Sequence, residues 1–270
     1  MSLADLPDIY YLDEPRVQQR MQIVNQGQIE KVVEKYSSTE SSESRGGLSL
    51  YKFLEYKRSS SDETIEEFSR TVRSTPIGEL VVLHGVIEEE EGPIHADELD
   101  NKARDSLTAR SYITVDGVIE RPPWTRLSEL ANRWGIDMQE ELSGRSKESD
   151  ERLAEELEEA SLYYQVPMSG SCEGDFVFKL REENFQHIAR EFPNDYQTYT
   201  LFSRVDHMYA QDEERHYIDF LNEELPRDRS DRTEQRIRKK KLDNLLDNLG
   251  KGDAYISYPD IVISPIAIYA

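Results

Sequence analysis

The sequence has one cysteine, few lysines and no long apolar run. Cys172 cannot form an intramolecular disulfide, and a single thiol excludes a cysteine-based zinc site. No stretch approaches the roughly 18 consecutive apolar residues that a membrane span requires, so no span is expected. The start, MSLADLPDIYYLDEP, has neither the basic residues nor the apolar run of a signal peptide. We therefore expect a cytoplasmic protein.

Positive charge is also scarce. There are 33 Lys and Arg against 55 Asp and Glu, which gives a formal charge of -22, and only 11 of the basic residues are Lys. Such a composition is typical of proteins from salt-loving archaea, because concentrated salt screens the repulsion between hydrated carboxylates. An ordinary acidic protein is the alternative. Nucleic-acid binding by the surface as a whole is disfavoured, because phosphate is repelled by an acidic field.

Aromatic residues are present throughout the 270 residues, as 15 Tyr, 8 Phe and 2 Trp, which argues against a disordered chain. This length fits one large domain or two small ones. One division is an N-terminal α+β lobe (1–136), an acidic helix or linker (137–160) and a C-terminal α+β lobe (161–270). A single compact domain is equally allowed.

The hydrophobic patterns predict an α+β fold of mainly antiparallel strands with segregated helices. A helix is expected over 14–36, started by Asp13 and Pro15, with Gly27 as an interruption. A buried strand is expected over 79–87, two strands around the MSGSCEGD turn, and a hairpin with a polar turn near 211–214. The segment 111–120 is expected to be a strand, or a hairpin around Asp116-Gly117.

The two ends of the chain carry a family resemblance. YYLDEPRVQQRMQIVNQGQIEKV near the start and DAYISYPDIVISPIAIYA at the end resemble the prokaryotic family called domain of unknown function 6414. STPIGELVVLHGVI and TYTLFSRVDHMY between them are similar in style. The resemblance implies no activity, cofactor or catalytic residue. The closing segment is expected to form one or two strands, with Pro259 and Pro265 at edges.

Histidines beside carboxylates are the candidates for metal binding. His84 and His95 enclose four glutamates in HGVIEEEEGPIH, and would converge if the strand turned back through residues 92–93. His207 and His216 could face each other across the expected hairpin. The alternative is that all four are incidental. No established metal motif is matched, so a metal-dependent enzyme is the least favoured of three hypotheses.

Cys172 lies in the turn MSGSCEGD, where no histidine is adjacent and nearby acids would raise the thiol pKa. The turn lacks the lysine of a phosphate-binding loop. The sequence also contains no G-x-S-x-G, H-E-x-x-H or G-x-G-x-x-G motif. No catalytic or cofactor-binding residue is therefore assigned, the cofactor is unknown, and we lean away from an enzyme.

A basic segment, residues 227–241, reverses the sign of the chain with eight bases and three acids. It could bind nucleic acid or an anionic protein partner, dock on acidic 137–160, or form a solvated helix face. The candidate contact residues are Arg232, Arg236, Arg238, Lys239, Lys240 and Lys241. The leading hypothesis is a cytoplasmic binding or interaction protein, with a protein partner or homo-oligomer possible. A nucleic-acid-associated protein is the main alternative.

Overall fold

Helices and a mixed β-sheet form the part of the chain that the structure, a computed structural model, describes. This part comprises residues 7–37, 54, 64–90, 92, 94–122, 163–168, 172–186, 197–216 and 255–270. The strands are β1 (Ile9–Leu12), β2 (Ile94–His95), β3 (Tyr112–Val118), β4 (Tyr163–Pro167), β5 (Asp175–Lys179), β6 (Thr198–Met208), β7 (Glu214–His216), β8 (Tyr255–Ser257) and β9 (Ile261–Tyr269). The helices are α1 (Glu14–Met21), α2 (Gln26–Ser37), α3 (Ile65–Arg73), α4 (Pro76–Glu90) and α5 (Asn101–Ser106), with single 3₁₀ turns at Ala96–Glu98 and Glu182–Asn184.

Seven strands form one sheet in the order β2-β3-β6-β9-β5-β4, and β1 also pairs with β9. The expected α+β class is confirmed. The expectation of mainly antiparallel strands needs correction, because β2 runs parallel to β3 and β5 runs parallel to β9. A separate two-stranded sheet joins β7 to β8.

The sheet closes on itself. Glu120 and Gln165 exchange two backbone hydrogen bonds, each 2.8 Å long, which join the segment after β3 to β4. Five strands, β3, β6, β9, β5 and β4, therefore form a closed ring around a shared apolar cluster that includes Val115, Leu201 and Phe176. Gly117 is required at the closure, because a Cβ atom there would lie 2.4 Å from Cγ1 of Val166.

A layer of four helices, α1 to α4, packs on the outside of this ring. Helix α4 is at its centre and is buried along most of its length. The expected strand over 79–87 is therefore wrong. A run that is apolar on every side fits a buried helix as well as a buried strand. The helical start signals decide: Pro76 takes the first position, and the Thr75 hydroxyl accepts from the Gly78 N–H at 3.1 Å.

The helix expected over 14–36 is two separate helices, α1 and α2. Gly27 lies inside α2, and Asn25 marks the start of that helix. The Asn25 side chain accepts from the Gln28 N–H at 3.0 Å, and the Gln28 side chain accepts from the Asn25 N–H at 2.9 Å. This reciprocal pair is a capping box, which starts α2 anew. The predicted start of α1 at Asp13 is confirmed.

The hairpin expected between 198 and 216 is wrong. β6 lies between β3 and β9, whereas β7 pairs with β8. The hairpin around Asp116-Gly117 does not form either, because β3 is one continuous strand. The two strands around MSGSCEGD are confirmed as the antiparallel pair β4 and β5. Pro265 lies within central strand β9 rather than at an edge.

Strands from both expected lobes pair within this one sheet, since β1 contacts β9 and β3 contacts β6. The expected boundary segment, residues 137–160, lies outside the described residues.

Candidate functional site

One flank of β9 is interrupted halfway along. On this flank, β5 pairs with Ile261 and Val262, and β1 pairs with residues 267–269. No strand pairs with β9 between these two stretches on the described part of this flank. Pro265 lies in the interval and is paired with Ser203 of β6 on the other flank. We call this interval the seam.

A cleft of about 590 Å³ opens at the seam. We call it the seam cleft. Its lining comes from the end of β1 and start of α1, from the end of β5 and the 3₁₀ turn that follows, and from β9. The lining residues are Tyr11, Asp13, Arg16, Lys179, Leu180, Arg181, Glu182, Glu183, Ser264 and Pro265.

The first turn of α1 has its own cap at the edge of this cleft. Asp13 Oδ1 accepts from the Arg16 N–H at 3.1 Å, and the Asp13 N–H donates to the Ile266 carbonyl at 2.9 Å. Pro15 contributes no N–H. Because these donors are absent or satisfied, the helix terminus is a poor anion site, and charge in the cleft must come from side chains.

Arg16 is held in position by two contacts. Its Nε atom lies 3.5 Å from Asp13 Oδ2, and its guanidinium donates to the Ser264 carbonyl at 3.4 Å. Lys179 and Arg181 reach the same cleft from the end of β5. Three basic residues from two parts of the chain thus line the same cleft, together with the carboxylates of Asp13, Glu182 and Glu183.

Burial separates the charges of the cleft by depth. Arg16 and Lys179 are partly buried, and the Asp13 carboxylate is buried beside Arg16. Glu182 and Glu183 are exposed on the 3₁₀ turn. Arg181 is exposed beside them, so the buried part of the cleft holds the Asp13–Arg16 pair and Lys179, and the exposed part holds charges of both signs.

Tyr11 lines the cleft, although the residue is only 2% exposed. The hydroxyl oxygen accepts from Nδ2 of Asn184 at 3.1 Å, and the ring packs edge-on against Phe185. Burial raises the pKa of Tyr11, so the hydroxyl keeps its proton at neutral pH.

His84 is not on a strand that turns back toward His95, as the metal hypothesis required. It is buried in α4, with its ring 4.6 Å from that of Phe202. Burial lowers the pKa of His84 to about 4, an effect that nearby His95 reinforces and Glu88 opposes. The imidazole is therefore neutral at physiological pH. His95, at the end of β2, is partly buried.

His207 and His216 do not face each other, because the hairpin that would pair them is absent. Nε2 of His207 lies 3.3 Å from Oε1 of Glu213, and the His207 ring packs edge-on against Tyr209. His216 pairs with Tyr255. Within the described ranges, no three His, Cys, Asp or Glu side chains come together as a metal site. The metal-binding role of these histidines remains a prediction.

Cys172 is buried in the apolar cluster of the strand ring. The basic segment 227–241 lies outside the described residues. The same is true of the candidate contact residues within it, which are Arg232, Arg236, Arg238, Lys239, Lys240 and Lys241. Sequence reasoning did not identify the seam cleft, whose residues come from three distant parts of the chain. The capped start at Asp13 was its only local signal.

The family model for domain of unknown function 6414 matches residues 6–269. The chain belongs to this family. The predicted resemblance is thereby confirmed over nearly the whole DUF6414 chain. No curated protein and no solved structure matches it. Among its described helices, none combines the length and apolar character needed to cross a membrane.

Proposed function

We propose that this DUF6414 protein is a non-enzymatic binding protein whose seam cleft holds a small, negatively charged ligand. The observation that carries the proposal is the convergence of Arg16, Lys179 and Arg181 on one cleft of about 590 Å³. Sites for small molecules commonly have volumes of about 300 to 1,000 Å³.

The electrostatics of the whole chain strengthen this reading. A surface with net charge -22 repels anions in general. A local cluster of cations then binds an anion only where the positive charges are close and fixed. Arg16 meets this condition, because Asp13 and the Ser264 carbonyl fix its guanidinium before any ligand arrives.

Isothermal titration tests the proposal, with inorganic phosphate and acetate as probes in KCl concentrations at which the protein is folded. Arg16→Gln and Lys179→Gln are each expected to weaken binding about tenfold, as expected for losing a hydrogen bond to a charged group. Lys31→Gln is the matched control, because Lys31 is exposed on α2, away from the cleft lining. Equal affinity in all four proteins, or no binding of either probe, would contradict the proposal.

The nucleic-acid alternative depends on 227–241 and remains a prediction. Reversing the charges of Arg236 and of residues 238–241 should abolish retention on a nucleic-acid column if that segment binds. A protein partner or homo-oligomer is likewise untested, and light scattering of the purified protein would reveal a mass above that of the 31.4 kDa monomer.

A further inference from the structure

The turn between β8 and β9, residues 257–260, connects the two-stranded sheet to the seven-stranded sheet. Arg104 of α5 holds this turn from one side. Its Nε atom donates to the Pro259 carbonyl at 3.2 Å, and its Cζ atom lies 4.4 Å from the centre of the Tyr258 ring. The same guanidinium donates to the Tyr209 carbonyl at 3.5 Å. Arg104 therefore joins α5 to the turn and to the residue that follows β6.

The Asp260 carboxylate holds the turn from the other side. Oδ1 accepts from the backbone N–H of Asp175 at 2.9 Å, and Oδ2 accepts from the backbone N–H of Ser257 at 3.1 Å. The chain comes close here, because a Cβ atom on Gly174 would lie 2.9 Å from Cγ of Pro259 and 3.2 Å from Asp260 Oδ1. One carboxylate thus connects the start of β5 to the end of β8. An ionised acceptor makes both bonds stronger.

The Asp175 carboxyl lies beside this connection in acidic surroundings. The charged groups that face it are Asp260 in the turn and Glu120 after β3. Among the described residues, no basic side chain pairs with it. Burial, Asp260 and Glu120 together raise the pKa of Asp175 to about 6. Burial also raises the pKa of Asp260, but the two N–H groups and nearby Arg104 lower it. Asp175 is therefore the carboxyl that keeps its proton to the higher pH.

We propose that Asp175 and Asp260 form a proton-dependent latch between the start of β5 and the turn 257–260, which is tight when Asp175 is protonated and looser when both carboxyls are ionised. Two ionised carboxylates repel each other, and this repulsion opposes the bond that the Asp175 N–H donates to Asp260. Arg104 still holds the turn from the side of α5, so the loosening is local. The inference is independent of the function proposed for the seam cleft.

Native-state hydrogen exchange of the full chain tests the latch, because the amides of Asp175 and Ser257 donate the two bonds that loosen. An acid whose pKa is higher in the tight latch than in the loose one favours the tight latch at low pH. Protection, corrected for the intrinsic exchange rate, should therefore fall about tenfold between about pH 4.5 and about pH 6.5. Exchange of both amides should not respond to low urea concentrations, which identifies local opening.

Asp175→Asn removes the titrating group with almost no change of shape. Protection of the two amides is then expected to be equal within twofold at both pH values, at the high level of the wild type at low pH. Asp97→Asn is the matched control, because it removes the same charge from an exposed residue on the 3₁₀ turn after β2. It should keep the pH dependence of the wild type within twofold. Circular dichroism melts show whether both variants are folded.

Each other outcome overturns the proposal. Equal protection at both pH values in the wild type would show that no latch responds to protons. A pH dependence that persists in Asp175→Asn would assign it to another group, and its loss in Asp97→Asn would assign it to the net charge of the chain. Exchange that increases with urea would show that the two amides open only when the whole protein unfolds.

Discussion

The two flanks of β9 differ in continuity. On one flank β6 pairs with β9 from Ile261 to Tyr269, with two register shifts. On the other flank, pairing by β5 and β1 stops at Val262 and resumes at Ala267. Side chains of both paired strands, including Phe202 and Tyr269, pack against the helical layer. The interrupted flank leaves a polar cleft. One strand therefore has continuous pairing on one side and an open cleft on the other.

The largest effect is expected from Phe202→Ala on the continuous flank. The Phe202 side chain is fully buried between the sheet and the helices, beside the rings of His84 and Tyr112. The cavity left by truncation is expected to lower the free energy of unfolding by about 3 to 5 kcal/mol. Denaturant titration measures it, with Phe202→Leu as the conservative control. A loss below about 1 kcal/mol would show that this flank does not carry the stability assigned to it.

A smaller effect is expected where the ring of strands closes. A methyl group in Gly117→Ala would lie 2.4 Å from Val166, so overpacking should cost about 1 to 3 kcal/mol. Adding Val166→Ala makes room for the methyl, and the double variant should be more stable than the sum of the two single losses predicts. Additive losses, measured by the same denaturant titration, would contradict the close approach.

Asp175, at the start of β5 on the interrupted flank, is expected to make stability depend on pH. Burial, Asp260 and Glu120 raise the pKa of Asp175 from 3.8 to about 6. Its protonated form therefore favours the folded state, and its contribution falls as pH rises through about 4 to 6.

Asp175→Asn should then stabilise the protein at pH 7.5, by about 1 kcal/mol once partial exposure is allowed for. The gain should disappear below about pH 4, where the wild-type carboxyl is protonated in both states. Thermal melts across this range measure it. A variant that is less stable than the wild type at pH 7.5 would contradict the cause assigned to the raised pKa.

The smallest effects are expected in the helical layer, at the break between α1 and α2. Asn25→Ala removes one partner of the capping box and should lower stability by about 1 kcal/mol. Gly27→Ala should be neutral or raise it by about 0.5 kcal/mol, because a Cβ atom there makes only an ordinary contact. If denaturant titrations show that Gly27→Ala is less stable than Asn25→Ala, then Gly27 rather than Asn25 determines where α1 and α2 separate.

Local patterns predicted much of the fold. Asp13 and Pro15 marked the start of α1, and the strands on either side of MSGSCEGD followed from alternating apolar residues. Residues 79–87 were misassigned because a helix buried on all sides has no polar face to reveal its period. The reciprocal cap of Asn25 and Gln28 was a readable signal that was missed.

Long-range pairing explains the other differences. Nothing in the sequence near β6 and β7 shows that β6 pairs with β3 and β9, or that β7 pairs with β8. The seam cleft depends on this topology, because Arg16, Lys179 and Ser264 come together only when β1 and β5 share one flank of β9. The histidine pairs were evident in the sequence, but His84 lies in a helix and His207 and His216 lie in different sheets, so their role in metal binding stays a prediction.

Chemical-shift mapping of the full chain during the addition of inorganic phosphate tests the seam cleft as an anion site. Saturable shifts are expected in the amide signals of Arg16, Lys179 and Arg181, with little change at Lys31, and they should be lost in Arg16→Gln. Saturable shifts confined to residues away from the seam cleft, or no saturable shifts at all, would contradict it.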